Sequence, residues 1–213
     1  PGQTYDRPLD RQAAEQVFQL PEPADGQRSE VKLNGLWQVA RFDDPDMDTD
    51  TYQPLQALPK RELRWMAFET PGNPWDTEPL VFGHRLIYRT RIEVPEQTAG
   101  RGFKLHFSGT NWIVSVFVNG RLAGTHKGVW VPWDLDITPH VRPGQVNELA
   151  VAVKGTYYAL DPQSTGGKSI HAERNRPLSR KQWTRWVAPM YPSTKGDGDG
   201  YVYTYFRRLT TLY

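Results

Sequence analysis

The sequence predicts an all-β chain: an antiparallel β-sandwich or jelly roll with a short N-terminal helix and one long irregular loop. Three observations predict it. From Leu33 onward apolar residues recur with a period of two, the spacing that sends successive side chains to opposite faces of a strand. The alternating runs return about every ten residues between Gly, Pro and Asn turns, a pattern of sandwiches and not of parallel βαβ units. Between two such runs stands Asn119-Gly120, a strong hairpin signal because a type I′ turn needs positive φ at both central residues.

Leu9, Ala13, Val17 and Leu20 lie at helical spacing, so residues 9–20 predict a short amphipathic helix that stops at Pro21. PEPADGQRSE (21–30) reads as a linker, which sets an N-terminal extension over 1–32 ahead of a sandwich over 33–213. GLWQVAR is the first strand, with Trp37 in the core, and the acidic DDPDMDTD that follows is surface turn. RWMAFET is a strand ended by Pro71-Gly72. In IYRTRIEV, Tyr88, Thr90, Ile92 and Val94 form a core face and Arg89, Arg91 and Glu93 a solvent face. FKLHF alternates, whereas WIVSVFV is apolar on both faces and suits a central strand. In VPWDLDIT, Trp133 is in phase with Leu135 and Ile137 and so belongs to the core, and Thr138 caps a single turn. NELAVAVK is a further strand, and YVYTYF closes the sheet. Residues 161–200 lack any period; a segment of that length inside a compact domain is an insertion loop with a function or with freedom to move.

Composition excludes several classes. With 38% hydrophobic and 12% aromatic residues the chain can bury a core, so disorder as a whole-chain reading is set aside. Lys+Arg 26 against Asp+Glu 24 gives +2, no global field toward nucleic acid or an anionic membrane. The absence of cysteine rules out disulfides, thiol nucleophiles and thiolate metal sites. No run of ~20 apolar residues is present to span a membrane, and no basic-to-apolar leader follows Pro1-Gly2; a first residue that is not Met suggests processing or excision from something longer. STGGKS lacks the first glycine of a phosphate loop, His84, His106, His126, His140 and His171 show no HExxH spacing, and no GxSxG is present. KGDGDG offers Asp197 and Asp199 as weak ligands for a structural calcium; no other cofactor is expected.

Leu33-Asn34-Gly35-Leu36-Trp37, Pro71-Gly72-Asn73-Pro74-Trp75, Tyr88-Arg89-Thr90, Val118-Asn119-Gly120, Gly124-Thr125-His126, Asp136-Ile137-Thr138 and Asn147-Glu148-Leu149-Ala150-Val151 occur in this order. Together they resemble the N-terminal sugar-binding domain of glycoside hydrolase family 2, the family of β-galactosidases, β-glucuronidases and β-mannosidases. The resemblance covers roughly residues 33–154 and implies a galactose-binding-domain-like jelly roll, a bacterial-type hydrolase context and a secreted or periplasmic location. Two departures stand out. YVYTYFRRLTTLY replaces the family's closing strand, and the sequence carries no catalytic barrel, so the family's catalytic carboxylates are not carried over. Asn147-Glu148 matches the dipeptide of the family's acid but sits at a strand entry and reads as structural.

What remains is recognition. A sugar offers an apolar C–H face and a rim of hydroxyls, so its site needs flat rings beside donors and acceptors. Trp75, in the loop GNPWD, and Trp130, out of phase with Trp133, are candidates, with His126 and Lys127 beside Trp130 at a sheet edge. Arg180, Trp183, Arg185 and Trp186 interleave guanidinium groups and rings in the long loop, a mixture suited to an acidic polysaccharide. The expected function is a noncatalytic carbohydrate-binding or accessory domain. The alternative is a scaffold or docking domain of a larger hydrolase, partnered by a missing catalytic domain, with no sugar binding of its own. Nucleic acid, which would use the same chemistry, is disfavoured by the near-neutral total.

Overall fold

The computed structural model describes residues 7–24, 27–42, 53–70, 85–129, 131–154 and 206–212, with residues 111, 112, 129 and 206–212 described by backbone alone. Within them, one α-helix, α1 (Pro8–Glu15), precedes nine strands, and two single 3-10 turns lie at Glu96–Thr98 and Thr138–His140. The strands are β1 (Val17–Gln19), β2 (Gly35–Phe42), β3 (Trp65–Thr70), β4 (Arg85–Val94), β5 (Lys104–Val118), β6 (Arg121–Val129), β7 (Trp133–Asp136), β8 (Gln145–Lys154) and β9 (Phe206–Leu212). All pair antiparallel except β1 with β4. The chain is an all-β sandwich with a short N-terminal helix, as the alternation predicts.

The 15-residue β5 organises it. Its C-terminal half lies between β8 and β6 in a large sheet of order β3-β2-β4-β8-β5-β6, and its N-terminal half lies between β7 and β9 in a small one. FKLHF and WIVSVFV, two strands on the sequence reading, are thus one strand shared by both sheets. Register irregularities between His106 and Thr110, around Gly109, mark where it passes from one to the other. At its end Asn119 (φ 51°) and Gly120 (φ 75°) make the expected two-residue turn into β6.

Trp37, Leu86, Tyr88, Val114, Val116, Leu149 and Val151 from the large sheet meet Leu105 and Phe107 from the small one, and Phe103 just before β5, in the main core. Trp37 is fully buried, as expected, and its indole N–H donates to the Leu33 carbonyl at 2.8 Å. The solvent face expected for β4 holds at Glu93, which is exposed, and is half-covered at Arg89 and Arg91. Residues 53–63 fold over the outer side of the large sheet, where Leu58 and Leu63 pack on Ile87, Ala150 and Ala152. The fully buried Arg85 pins this segment by donating to the Gln53 carbonyl at 2.6 Å, and the Arg89 guanidinium lies 3.8 Å from the Trp65 ring centre.

The helix is also shorter than its spacing predicts. It ends at Glu15, and Val17–Gln19 pairs with Arg91–Glu93, the part of the β4 edge that β2 leaves uncovered. Leu9 is 54% exposed while Asp10 is buried. The reason is the surface the helix meets: on the edge strand β3, Asp10 accepts the Ala67 backbone N–H at 2.7 Å, and an unpaired N–H needs an acceptor where a methyl would leave it orphaned. YVYTY (201–205) and residues 161–200 lie outside the described residues; the closing strand described is Phe206–Leu212.

Candidate functional site

β5 and β7 face one another with Lys104 opposite Asp136, Leu105 opposite Leu135, His106 opposite Asp134 and Phe107 opposite Trp133. Alternation turns the leucines, Phe107 and Trp133 toward the core and leaves the four polar side chains on the outer face. Basic side chains on β5 face acidic ones on β7. His106 Nδ1 is 2.6 Å from Asp134 Oδ1, and Lys104 Nζ is 3.5 Å from Asp134 Oδ2. Asp136 Oδ1 accepts the Thr138 N–H at 2.9 Å; it is Asp136, not Thr138, that caps the turn which follows.

These contacts hold both carboxyls below the usual aspartate range. For Asp134 the main cause is the His106 hydrogen bond, aided by the Lys104 charge; for Asp136 it is hydrogen bonding by Thr138. A general acid must keep its proton near neutrality. Asp134 and Asp136 are instead fixed anions, suited to accept hydrogen bonds.

The four side chains line a cleft of about 550 Å³ whose other walls include Arg28, Gly102, Phe103 and Thr138. Arg28, Gly102 and Phe103 also line a neighbouring cleft of about 340 Å³, completed by Leu20, Pro23, Thr98 and Arg101 among others. The two form one groove with a shared waist. Its walls are tied down by hydrogen bonds from Phe103 N–H to Thr138 Oγ1 at 2.7 Å and from Arg101 Nη1 to the Gln27 carbonyl at 2.8 Å.

Of the residues named from sequence, His126 and Lys127 are described, and β6 puts them on opposite faces. The His126 ring stacks on Trp133 with centroids 4.4 Å apart, and Trp133 stacks on Phe107 at 4.1 Å. Gly128 leaves room for the His126 ring, and Gly124 leaves room for Leu135 beside the stack. A Cβ on Gly124 would come 2.4 Å from Leu135 Cδ1, and one on Gly128 would come 2.6 Å from His126 Nε2. His126 Nε2 is buried with no hydrogen-bond partner among the described residues, and burial pushes its pKa down. His126 is therefore part of the packing between the sheets, while Lys127 is exposed. Trp75, Trp130, Arg180, Trp183, Arg185, Trp186, Asp197 and Asp199 lie outside the described residues. Among the described residues no group of three or more His, Asp or Glu side chains is placed to hold a metal ion, and no helix is long and apolar enough to cross a membrane.

Sequence reasoning missed Arg28, Arg101, Lys104, His106, Asp134 and Asp136. The polar members of FKLHF and WDLD carry opposite signs, a usable signal once the two strands are known to pair. Asn147, read as structural, is so: buried, it donates to the Arg142 and Gln145 carbonyls, accepts the Arg142 N–H, and receives a hydrogen bond from Asn119 Nδ2 at 2.8 Å.

Comparison with known proteins places this arrangement in context. The sequence model of the family described as glycosyl hydrolase 2 galactose-binding domain-like matches residues 73–188. A β-galactosidase of Thermoanaerobacter pseudethanolicus is 36% identical over 62 residues, 29% of this chain and 8% of that protein. A putative β-glucuronidase of Formosa agariphila is 27% identical over 111 residues, 50% of this chain and 13% of that protein. The chain thus matches a small part of these relatives' length. Among solved structures, a β-glucuronidase from Ruminococcus gnavus in complex with uronic isofagomine is similar at 20% identity and a TM-score of 0.48, over 59% of this chain and 21% of that one.

Proposed function

The chain belongs to the glycosyl hydrolase 2 galactose-binding domain-like family, whose model runs over residues 73–188, and from that premise we propose that it is a noncatalytic accessory domain that binds carbohydrate. The observation that carries the reading is the outer face of β5 and β7. Each sugar hydroxyl both donates and accepts, so two adjacent hydroxyls are matched by an ammonium beside a carboxylate. Lys104 beside Asp134 supplies that pairing, His106 adds a ring nitrogen on the same carboxylate, and Asp136 adds a second acceptor along the strand. Both carboxyls are held ionised, which favours binding and disfavours proton donation to a glycosidic oxygen. In a longer polypeptide of the relatives' kind, the domain would hold a glycan beside a hydrolase. The acidic-polysaccharide preference read from Arg180, Trp183, Arg185 and Trp186 belongs to the same proposal.

The test uses the 213-residue chain. Affinity gels containing galactan or polygalacturonate should retard it, and p-nitrophenyl β-galactoside and β-glucuronide should release no nitrophenol. Turnover abolished by Asp134→Asn would overturn the noncatalytic reading. No retardation on either gel, with no heat of binding to their oligosaccharides, would leave the scaffold reading in its place.

A further inference from the structure

We infer that the groove is polarised: its Asp136 end takes a neutral sugar, and its Arg101 end takes the carboxylate of an adjoining uronic acid. The inference rests on the carbohydrate-binding reading and adds ligand class and orientation. In the larger cleft the carboxylates of Asp134 and Asp136 stand beside Lys104 and His106. An acidic sugar there would meet two fixed carboxylates, a like-charge contact that counts against it. The smaller cleft is different. Among the described residues no Asp or Glu lines it, and its walls carry two exposed guanidinium groups, Arg28 and Arg101.

Among the described residues neither arginine has a carboxylate partner; Arg101 spends one nitrogen on the Gln27 carbonyl. Both retain N–H groups in the planar fork that matches a carboxylate. Beside them lie Leu20, Pro23 and Phe103, an apolar surface for the C–H face of a pyranose. Arg28 lines both clefts and stands at the waist, where a glycan crossing from one to the other would pass. A reversed glycan would set its carboxylate against Asp134 and Asp136 and leave the arginines to water. Charge placement therefore fixes direction as well as class.

Calorimetry with galactobiose, glucuronosyl-galactose and inorganic sulfate tests this. Glucuronosyl-galactose should bind about tenfold more tightly than galactobiose at low salt, the scale of one charge-assisted hydrogen bond, and the advantage should shrink as salt is added. Arg28→Ala and Arg101→Ala should each reduce that advantage, and together abolish it. Arg101→Lys should restore only part, since an ammonium lacks the fork. Circular dichroism confirms that the exposed substitutions leave the fold in place. Equal affinity for both disaccharides, or an advantage that survives the double substitution, overturns the inference while the carbohydrate reading stands. Sulfate binding as tightly as glucuronosyl-galactose also overturns it, reducing the site to a general anion patch. Failure of both disaccharides to bind defeats the carbohydrate reading itself.

Discussion

β5 and β7 present opposite chemistries from the same few residues, and their two histidine neighbours show the contrast. His106 sits on the outer face, 2.6 Å from a carboxylate in a solvent-lined cleft. His126 reaches from β6 into the space between the sheets and stacks on Trp133. The inner face must be filled to hold two sheets together, so its residues are fixed by shape. The outer face has no such duty, and its ordered charges are free to serve a ligand.

The largest effect that could break this division comes from Phe107, fully buried beneath Trp133. Phe107→Ala should cost about 3–5 kcal/mol in urea unfolding, whereas His106→Ala, on the adjacent outward position, should fall within about 0.5 kcal/mol. Equal losses would show that the outer face is structural. Next comes Gly124→Val, whose new carbon would stand 2.4 Å from Leu135 Cδ1. Overpacking of this kind costs about 1–3 kcal/mol. Leu135→Ala introduced together with it should recover part of the loss, so the two changes should be non-additive. Simple additivity would mean that the sheets do not meet there.

A smaller effect separates the histidines by pH. Burial lowers the pKa of His126, so the folded chain binds that proton less well than the unfolded chain, whose imidazole titrates near ~6.5. The contribution is complete above about pH 6.5 and is lost as pH falls through the folded pKa. Urea midpoints should therefore drop between about pH 7.5 and about pH 5. His126→Phe, which keeps a ring on Trp133, should flatten that part of the slope; an unchanged slope would assign it to another group.

Much of the fold was legible because local rules act alone. The Asn119-Gly120 turn needs only positive φ, and both residues have it. Trp37 follows from period two and is buried. Where a partner decides, the sequence misled. Leu9 looks like the buried residue of α1 until β3 presents an N–H that the Asp10 carboxylate accepts. Trp133 reads correctly as a core-facing residue, but its stacking on His126 depends on which strand of the other sheet lies opposite. The groove was least legible of all. Arg28 and Arg101 come from distant stretches that meet through the Arg101–Gln27 hydrogen bond, and period two distinguishes polar from apolar without saying which polar residues will share a cleft.

The smallest stability effect is expected from Asp134→Asn, and it sharpens the contrast most. Asp134 is exposed, and its pKa is lowered chiefly by the His106 hydrogen bond, with help from Lys104. Such a carboxylate stabilises the fold above its unfolded pKa of ~3.9 and loses that contribution as pH falls through the lower folded value. Solvent screening keeps the size to about 0–1 kcal/mol. At neutral pH the substitution should thus barely move the urea midpoint, and once pH has fallen below the folded pKa of Asp134 the two proteins should unfold alike. Its effect on galactobiose should be larger, a loss of about tenfold, because an amide replaces a fixed anion that accepts from sugar hydroxyls. A side chain that matters little to folding and much to binding is what the outer face requires. If Asp134→Asn destabilised the chain as Phe107→Ala does while leaving galactobiose affinity unchanged, the charged array would belong to the fold, and the carbohydrate reading would lose its site.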